Sequence, residues 1–264
     1  MTAVGIRVQK FGGRSMAGDL RLAALWVAEV YEEGHQVAVV VSAPAGETDS
    51  LLRSIPPGSG GDHEARRREI DALLVTGELK ASALMALTLQ DLGLPALSLH
   101  AYQAGLVAEG SFGDGQPLPG IGDRVKDLLA HGKVPVVAGF QAITQEGDWI
   151  TLGRGGSDLT AVVLAHALGA DLCEILTDVP GVYTHDPRSQ RRQAQLLSHL
   201  TYEDMLDLAE RGARVLQKKA VEYAREKGVL LQVRSTFAPG PGTLIGQAFT
   251  SKPGSPTGKT GWIG

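Results

Sequence analysis

The chain has 264 residues, 43% hydrophobic and 20% charged, an ordinary balance for a globular protein with length for one large domain or two small ones. A net charge of −4 without a basic tract argues against a general nucleic-acid binder, and no apolar run approaches the roughly 18 residues that span a bilayer. The single cysteine, Cys173, allows no internal disulfide and no cysteine metal cluster. A reducing cytoplasm is therefore the default compartment, and Cys173, in an apolar run, reads as a core residue.

Residues 4–9 alternate and predict a first strand, ending at Lys10-Phe-Gly-Gly-Arg-Ser15. This is a glycine turn at a strand's C-terminal end, where open α/β sheets bind ligands. Lys10 beside two glycines suits a phosphate, although a surface lysine by a turn has the same signature, and the spacing is neither Walker A nor GxGxxG. Residues 19–33 have helical spacing, with Leu22, Leu25, Trp26 and Val30 on one side. Residues 36–42 form a near-continuous apolar strand, as in a parallel sheet. In the polar loop 43–49, Ser42, Thr48 and Asp49 either line the same mouth or cap a helix at Leu51.

Residues 63–92 predict a helix broken near Gly77, charged first (Arg66, Arg67, Arg68) and apolar later. Glu78, after Thr76-Gly77, either compensates a helix dipole or binds a substrate ammonium. A short strand at 96–99 precedes a polar loop at 100–120. Then come a helix at 121–131, a buried strand at 133–138, and a hairpin across 139–152 turning near Glu146-Gly147.

The most informative stretch is Trp149-Ile-Thr-Leu-Gly-Arg-Gly-Gly-Ser-Asp158. A strand ends, Gly153, Gly155 and Gly156 give a tight turn, and Ser157 and Asp158 are N-cap candidates. The helix 159–168 is apolar nearly all round, so it is buried. A helix N-terminus thus sits at the rim of a core, with Arg154 as a forked cation beside it. That suits an anion; a plain strand–turn–helix corner with a capping aspartate is the alternative. A strand at 170–177, a long loop at 178–188, helices at 202–210 and 214–227 and a strand at 229–234 follow. The tail past Gly246, rich in Gly, Pro and Ser, reads as loose. Strands and helices alternate without an internal repeat or linker, which predicts an α/β domain whose mostly parallel sheet gathers polar loops on one edge.

No GxSxG elbow, HExxH or paired His/Cys spacing is present. Glycine loops, the cations Lys10 and Arg154, and the carboxylates Glu78, Asp158 and Asp178 suit phosphoryl transfer, which is mostly positioning and charge neutralisation. An acceptor carboxylate is already ionised at neutral pH and needs no general base.

Together these motifs resemble the amino-acid kinases, and within them the aspartate kinase branch. Lys10-Phe-Gly-Gly-Arg-Ser15 is similar to that branch's KFGGTS, and Val40-Val-Ser-Ala43 with Thr48-Asp49 to its VVSAM…TD loop. Thr76-Gly-Glu78, Gln103-Ala-Gly105 and Ala138-Gly-Phe-Gln141 match shorter elements. Thr151-Leu-Gly-Arg-Gly-Gly-Ser-Asp158 matches without a change, and Thr177-Asp-Val-Pro-Gly-Val-Tyr-Thr-His-Asp-Pro-Arg188 resembles its nucleotide loop. Val233-Arg-Ser-Thr-Phe with Gly242-Thr-Leu-Ile245 resembles the end of its catalytic domain.

The resemblance implies a three-layer α/β/α sandwich, the amino-acid kinase fold, with a catalytic domain over residues 1–246 and a flexible tail at 247–264. It implies ATP-dependent phosphorylation of L-aspartate to 4-phospho-L-aspartate, the first step towards lysine, threonine and methionine, with Mg²⁺. Lys10, Gly12 and Gly13 would contact the transferring phosphoryl group, and Asp158 would organise the cations around it. Arg154 would hold a carboxylate of aspartate and Glu78 its ammonium, with Thr48 and Ser157 close by. Thr177, Asp178, Tyr183, Asp186 and Arg188 would form the nucleotide pocket.

The chain departs from the pattern at Arg14, usually Thr; at Pro44-Ala-Gly-Glu47; at Ala142, usually Gly; and at Arg214, where a phosphate-contacting Lys is usual. Arg keeps that charge but is bulkier and forked. Lys218 or Lys219 would compensate. The expectation is a catalytic domain with no regulatory ACT domain after residue 246 and no built-in feedback control, open to a separate regulatory chain. A homodimer is expected, with no nucleic-acid or membrane partner. The alternatives are a kinase of this fold with another acceptor, or a non-catalytic nucleotide-binding protein.

Overall fold

A computed structural model describes residues 5–57, 63–185, 194–212 and 215–247. In chain order it contains β1 (Ile6–Phe11), α1 (Gly13–Ala17), α2 (Leu20–Glu32), β2 (Gln36–Val41), α3 (Glu47–Ser54), α4 (His63–Asp91) and β3 (Ala96–Leu99). Then come α5 (Ala101–Ala104), β4 (Ala108–Glu109), β5 (Gln116–Pro117), α6 (Asp123–Ala130), β6 (Val134–Ala138), β7 (Gln141–Ile143), β8 (Trp149–Thr151) and α7 (Gly156–Leu168). The chain continues through β9 (Leu172–Thr177), β10 (His199–Thr201), α8 (Tyr202–Glu210), α9 (Lys218–Lys227), β11 (Leu231–Ser235) and β12 (Thr243–Gly246).

The central sheet has the order β10-β12-β11-β9-β1-β2-β6-β3. From β11 to β3 all neighbours are parallel; β12 runs antiparallel to β11, and β10 parallel to β12. Side chains alternate across this sheet and build two cores. Val37, Val39 and Val41 of β2 face α2 and α4. Ala38 and Val40 of the same strand face the layer that holds α7 and α9. The result is the expected α/β/α sandwich with a mostly parallel sheet. Cys173 is fully buried in β9, as read, and burial pushes its thiol pKa up.

Several local readings are corrected. α4 runs unbroken through Gly77. The glycine is there for close approach: a Cβ would lie 2.9 Å from that of Ala43, so α4 could not come this near the end of β2. α4 is also long enough, with one window apolar enough, to cross a membrane; half of that window is buried inside this molecule, against β3, β6 and α2, as in a core helix. The 100–120 loop contains α5, closed by a His100/Gln103 capping box, and the small β4–β5 hairpin. Thr48 and Asp49 belong to the first turn of α3 rather than to a loop. Gln217 is the N-cap of α9, so the helix starts later than residue 214. The tail reading lies outside the described residues.

Candidate active site

β1 lies between β2 and β9, and the chain leaves β1 towards β2 but reaches β9 only after α7. Such a reversal of strand order opens a crevice beyond the strands' C-terminal ends. Here it is a cavity of about 420 Å³. Lys10, Gly12, Gly13, Thr48, Glu78, Arg154, Ser157, Asp158, Thr177 and Asp178 all line it.

Lys10 shares the face of Val8 and so points to the α7 layer, where its Nζ lies 2.6 Å from Asp158 Oδ1. Both are buried. A buried charge must be paired, and Asp158, in the first turn of α7, also gains from the helix's positive end. Gly13 is required by the turn that follows: its carbonyl accepts the Ala45 N–H at 2.8 Å, and a Cβ would lie 2.9 Å from the Ala43 carbonyl oxygen. Across the crevice, Gly12 N–H donates to Leu176 O at 3.0 Å. Arg14, beside that turn, forms an ion pair with Asp178 at the end of β9, and the Thr177 hydroxyl donates to Asp178 at 3.2 Å.

On the other side, α4 brings Glu78 beneath β2. Its Oε1 accepts the Ala43 N–H at 2.9 Å, while its buried Oε2 has no hydrogen-bond partner among the described residues. Burial drives its pKa from 4.5 up to about 7, against the opposing pull of the Ala43 hydrogen bond and the Lys10 charge. Arg154 rides an exposed turn between Gly153 (φ 74°) and Gly155 (φ 76°) and makes no ion pair or side-chain hydrogen bond among the described residues. Side chains rarely adopt such positive φ, and a Cβ on Gly155 would also overlap Gln217. Gly155 is the N-cap of α7, so Ser157 and Asp158 lie inside its first turn instead of capping it. That placement turns Asp158 towards Lys10.

The model of the Amino acid kinase family matches residues 5–235. The chain belongs to the amino acid kinase family. It is 44% identical over 244 residues to the aspartokinase of Thermus thermophilus, an alignment covering 90% of this chain and 58% of that protein. The chain thus spans about three fifths of the length of that curated relative. Among solved structures, aspartate kinase from Synechocystis superposes with a TM-score of 0.78 at 44% identity, over 92% of this chain and 40% of that one. E. coli aspartokinase III in complex with aspartate and ADP superposes with a TM-score of 0.79 at 26% identity, over 92% of this chain and 65% of that one.

In this member of the family the cavity also takes in Phe140, Val215 and Gln217, which the sequence did not single out as site residues. Phe140 is the one described non-glycine residue with positive φ, at 68°. Its carbonyl accepts the Leu152 N–H at 2.9 Å and its N–H donates to the Thr160 hydroxyl at 3.1 Å, which hold this unusual backbone in place. Its place in Ala138-Gly-Phe-Gln141 was the only sequence signal. Tyr183 is half-buried and bridges to Leu196, and it is not among the lining residues. Asp186, Arg188 and Arg214 lie outside the described residues. No group of three or more His, Cys, Asp or Glu among the described residues is arranged to hold a metal. Single carboxylates such as Asp158 and Asp178 fit Mg²⁺ only as an ion shared with phosphate oxygens, since Mg²⁺ keeps waters and takes one or two protein carboxylates.

Proposed function

We propose that the protein is an aspartate kinase, transferring the γ-phosphoryl group of ATP to the side-chain carboxylate of L-aspartate. One observation carries this reading beyond the family: among the described residues, a carboxylate oxygen on Glu78 without a partner and a guanidinium on Arg154 without an ion pair line the same cavity. A ligand bearing both an ammonium and carboxylates complements them. The named aspartokinase relatives support the same acceptor.

Arg154 holds a carboxylate of aspartate and Glu78 receives its ammonium, with Thr48 and Ser157 at the edge of the acceptor. An oxygen of the side-chain carboxylate forms the new bond to the γ-phosphorus as the bond to the β,γ-bridging oxygen breaks. ADP leaves with the electron pair, and no proton is transferred. The step therefore requires no general base, which leaves Glu78 free to serve in ammonium binding. Lys10, with the backbone N–H of Gly13, neutralises the phosphoryl oxygens, while the Gly12 N–H is spent on Leu176 O and Gly12 only shapes the turn; Asp158 keeps the ammonium of Lys10 in place. Mg²⁺ would be held on the phosphates beside Asp158 and Asp178, supplying further charge neutralisation. Thr177 and Asp178 begin the nucleotide pocket; Tyr183, although it does not line the cavity, keeps its proposed nucleotide role together with Asp186, Arg188 and Arg214, on the resemblance alone.

Residues 1–246 are read as one catalytic domain acting in the cytoplasm, a compartment supported by the buried free thiol of Cys173. A homodimer is supported by the exposed Leu84 and Leu87 on α4, which also leave room for a separate regulatory chain. Hydroxylamine trapping of the acyl phosphate tests the function. Hydroxamate should accumulate with ATP and aspartate and not with other amino acids. An equal response to other acids would point to another acceptor, and ATP binding without hydroxamate would mean a non-catalytic protein.

A further inference from the structure

The turn that carries Arg154 is supported from behind by a side chain that lies outside the cavity. Asp71, in α4, is 1% exposed. Its Oδ2 accepts the backbone N–H groups of Thr151 and Gly113, each at 2.8 Å, and its Oδ1 accepts the Thr151 hydroxyl at 2.9 Å. These bonds tie α4 at once to the end of β8 and to the turn between β4 and β5. That turn is fastened to β8 a second time, by the Gly115 N–H on the Thr151 carbonyl at 2.8 Å.

The tip of the turn then abuts the hinge of Arg154. A Cβ on Gly153 would lie 2.8 Å from Asp114 Oδ1 and 3.1 Å from the Gly113 carbonyl oxygen. Asp114 is itself ion-paired with Lys219 at the start of α9, so the turn is pinned from inside by Asp71 and from outside by Lys219. Burial pushes the Asp71 carboxyl pKa up against the pull of its three hydrogen bonds. Keeping a carboxylate there is costly, and filling space would need only an apolar side chain.

We propose that Asp71 is a positioning residue for the acceptor half of the site: it locks the Gly113 turn onto β8, and through that turn it sets the Gly153–Gly155 hinge that aims Arg154. The assignment of Arg154 to the acceptor rests on the function proposed above; the coupling of Asp71 to the hinge does not. A small misplacement of a binding group costs up to about a hundredfold.

The test uses Asp71→Ala and Asp71→Asn in the full chain. The asparagine oxygen can take both N–H bonds while its NH₂ donates to the Thr151 hydroxyl, so it should rescue. Asp71→Ala is expected to raise the aspartate KM about tenfold or more and leave the ATP dissociation constant within about twofold, with Asp71→Asn restoring KM to within about threefold. Equal effects on both substrates, a lowered melting temperature with unchanged KM, or no rescue by asparagine would overturn the proposal.

Hydrogen exchange reads the hinge without any substrate. In Asp71→Ala the Gly156 and Asp158 amides, which bond within the hinge and not to Asp71, should exchange faster, while those of β1 and β9 stay protected. If those two amides are unchanged, the coupling is wrong whatever the acceptor is. If they change but aspartate is not phosphorylated in the parent protein, the function reading fails instead. Should Asp71→Ala not fold, Thr151→Val removes only the bond to Oδ1 and carries both measurements with a smaller shift.

Discussion

The two halves of the cavity handle charge in opposite ways. On the β1–β9 side the cations already have partners: Lys10 holds Asp158, and Arg14 holds Asp178. On the α4–α7 side, Glu78 keeps one carboxylate oxygen unpartnered and Arg154 pairs with no carboxylate among the described residues. A paired half is stable when empty and can share its cations with phosphates as they arrive. An unpaired half stores its electrostatic attraction for the ligand. Substitution of the buried pair in the first half should therefore cost folding stability, and substitutions in the second should cost acceptor binding.

The largest effect is expected at the buried pair. Lys10→Met leaves Asp158 without its cation, which should cost about 3–5 kcal/mol in urea unfolding and abolish phosphoryl transfer. A stability loss below about 1 kcal/mol would erase the distinction between the halves. Glu78 comes next. Its folded pKa is raised from 4.5 to about 7, so between these values the folded chain binds a proton that the unfolded chain releases. Stability should fall by about 3 kcal/mol as pH rises through that window, an upper figure at about 1.4 kcal/mol per pKa unit. Glu78→Gln should flatten that part of the pH–stability curve. Acceptor binding runs the other way: the aspartate KM should fall as pH rises through about 7 and the carboxylate ionises. A KM that is flat across pH 6–8 would remove Glu78 from ammonium binding.

Arg154→Ala should raise the aspartate KM about ten- to a hundredfold, the loss of a charge-assisted bond, and leave ATP binding and unfolding near those of the parent. A loss of ATP binding in this variant would merge the two halves into one. The smallest effect belongs to Arg14→Thr. Its ion pair is largely exposed, so unfolding should change by less than about 1 kcal/mol. Any effect on the ATP KM that disappears at high salt would sharpen the case that Arg14 works through charge.

Much of the site was legible because glycine turns and strand ends are local signals. Lys10, Arg154 and Asp158 could each be placed at a strand end or helix start from neighbouring residues alone. Phe140 was not legible as a site residue, because nothing local to a phenylalanine announces positive φ; the hydrogen bonds from Leu152 and to Thr160 impose it. Gly77 was misread for a related reason. A glycine in a helical stretch marks either a break or a close neighbour, and the neighbour, Ala43, is 34 positions away in sequence. Asp71 carried no signal either, since its three donors come from residues 113 and 151.

By itself the sequence determined the alternation of strands and helices, the burial of α7, and the glycine corners that end β1 and open α7, since apolar periodicity and backbone freedom act over a few residues. Tertiary structure alone decided which charges meet. Lys10 with Asp158, Arg14 with Asp178, and Asp71 with the Gly113 turn join segments far apart in the chain, and such pairings depend on strand order and sheet register, which local physics does not encode.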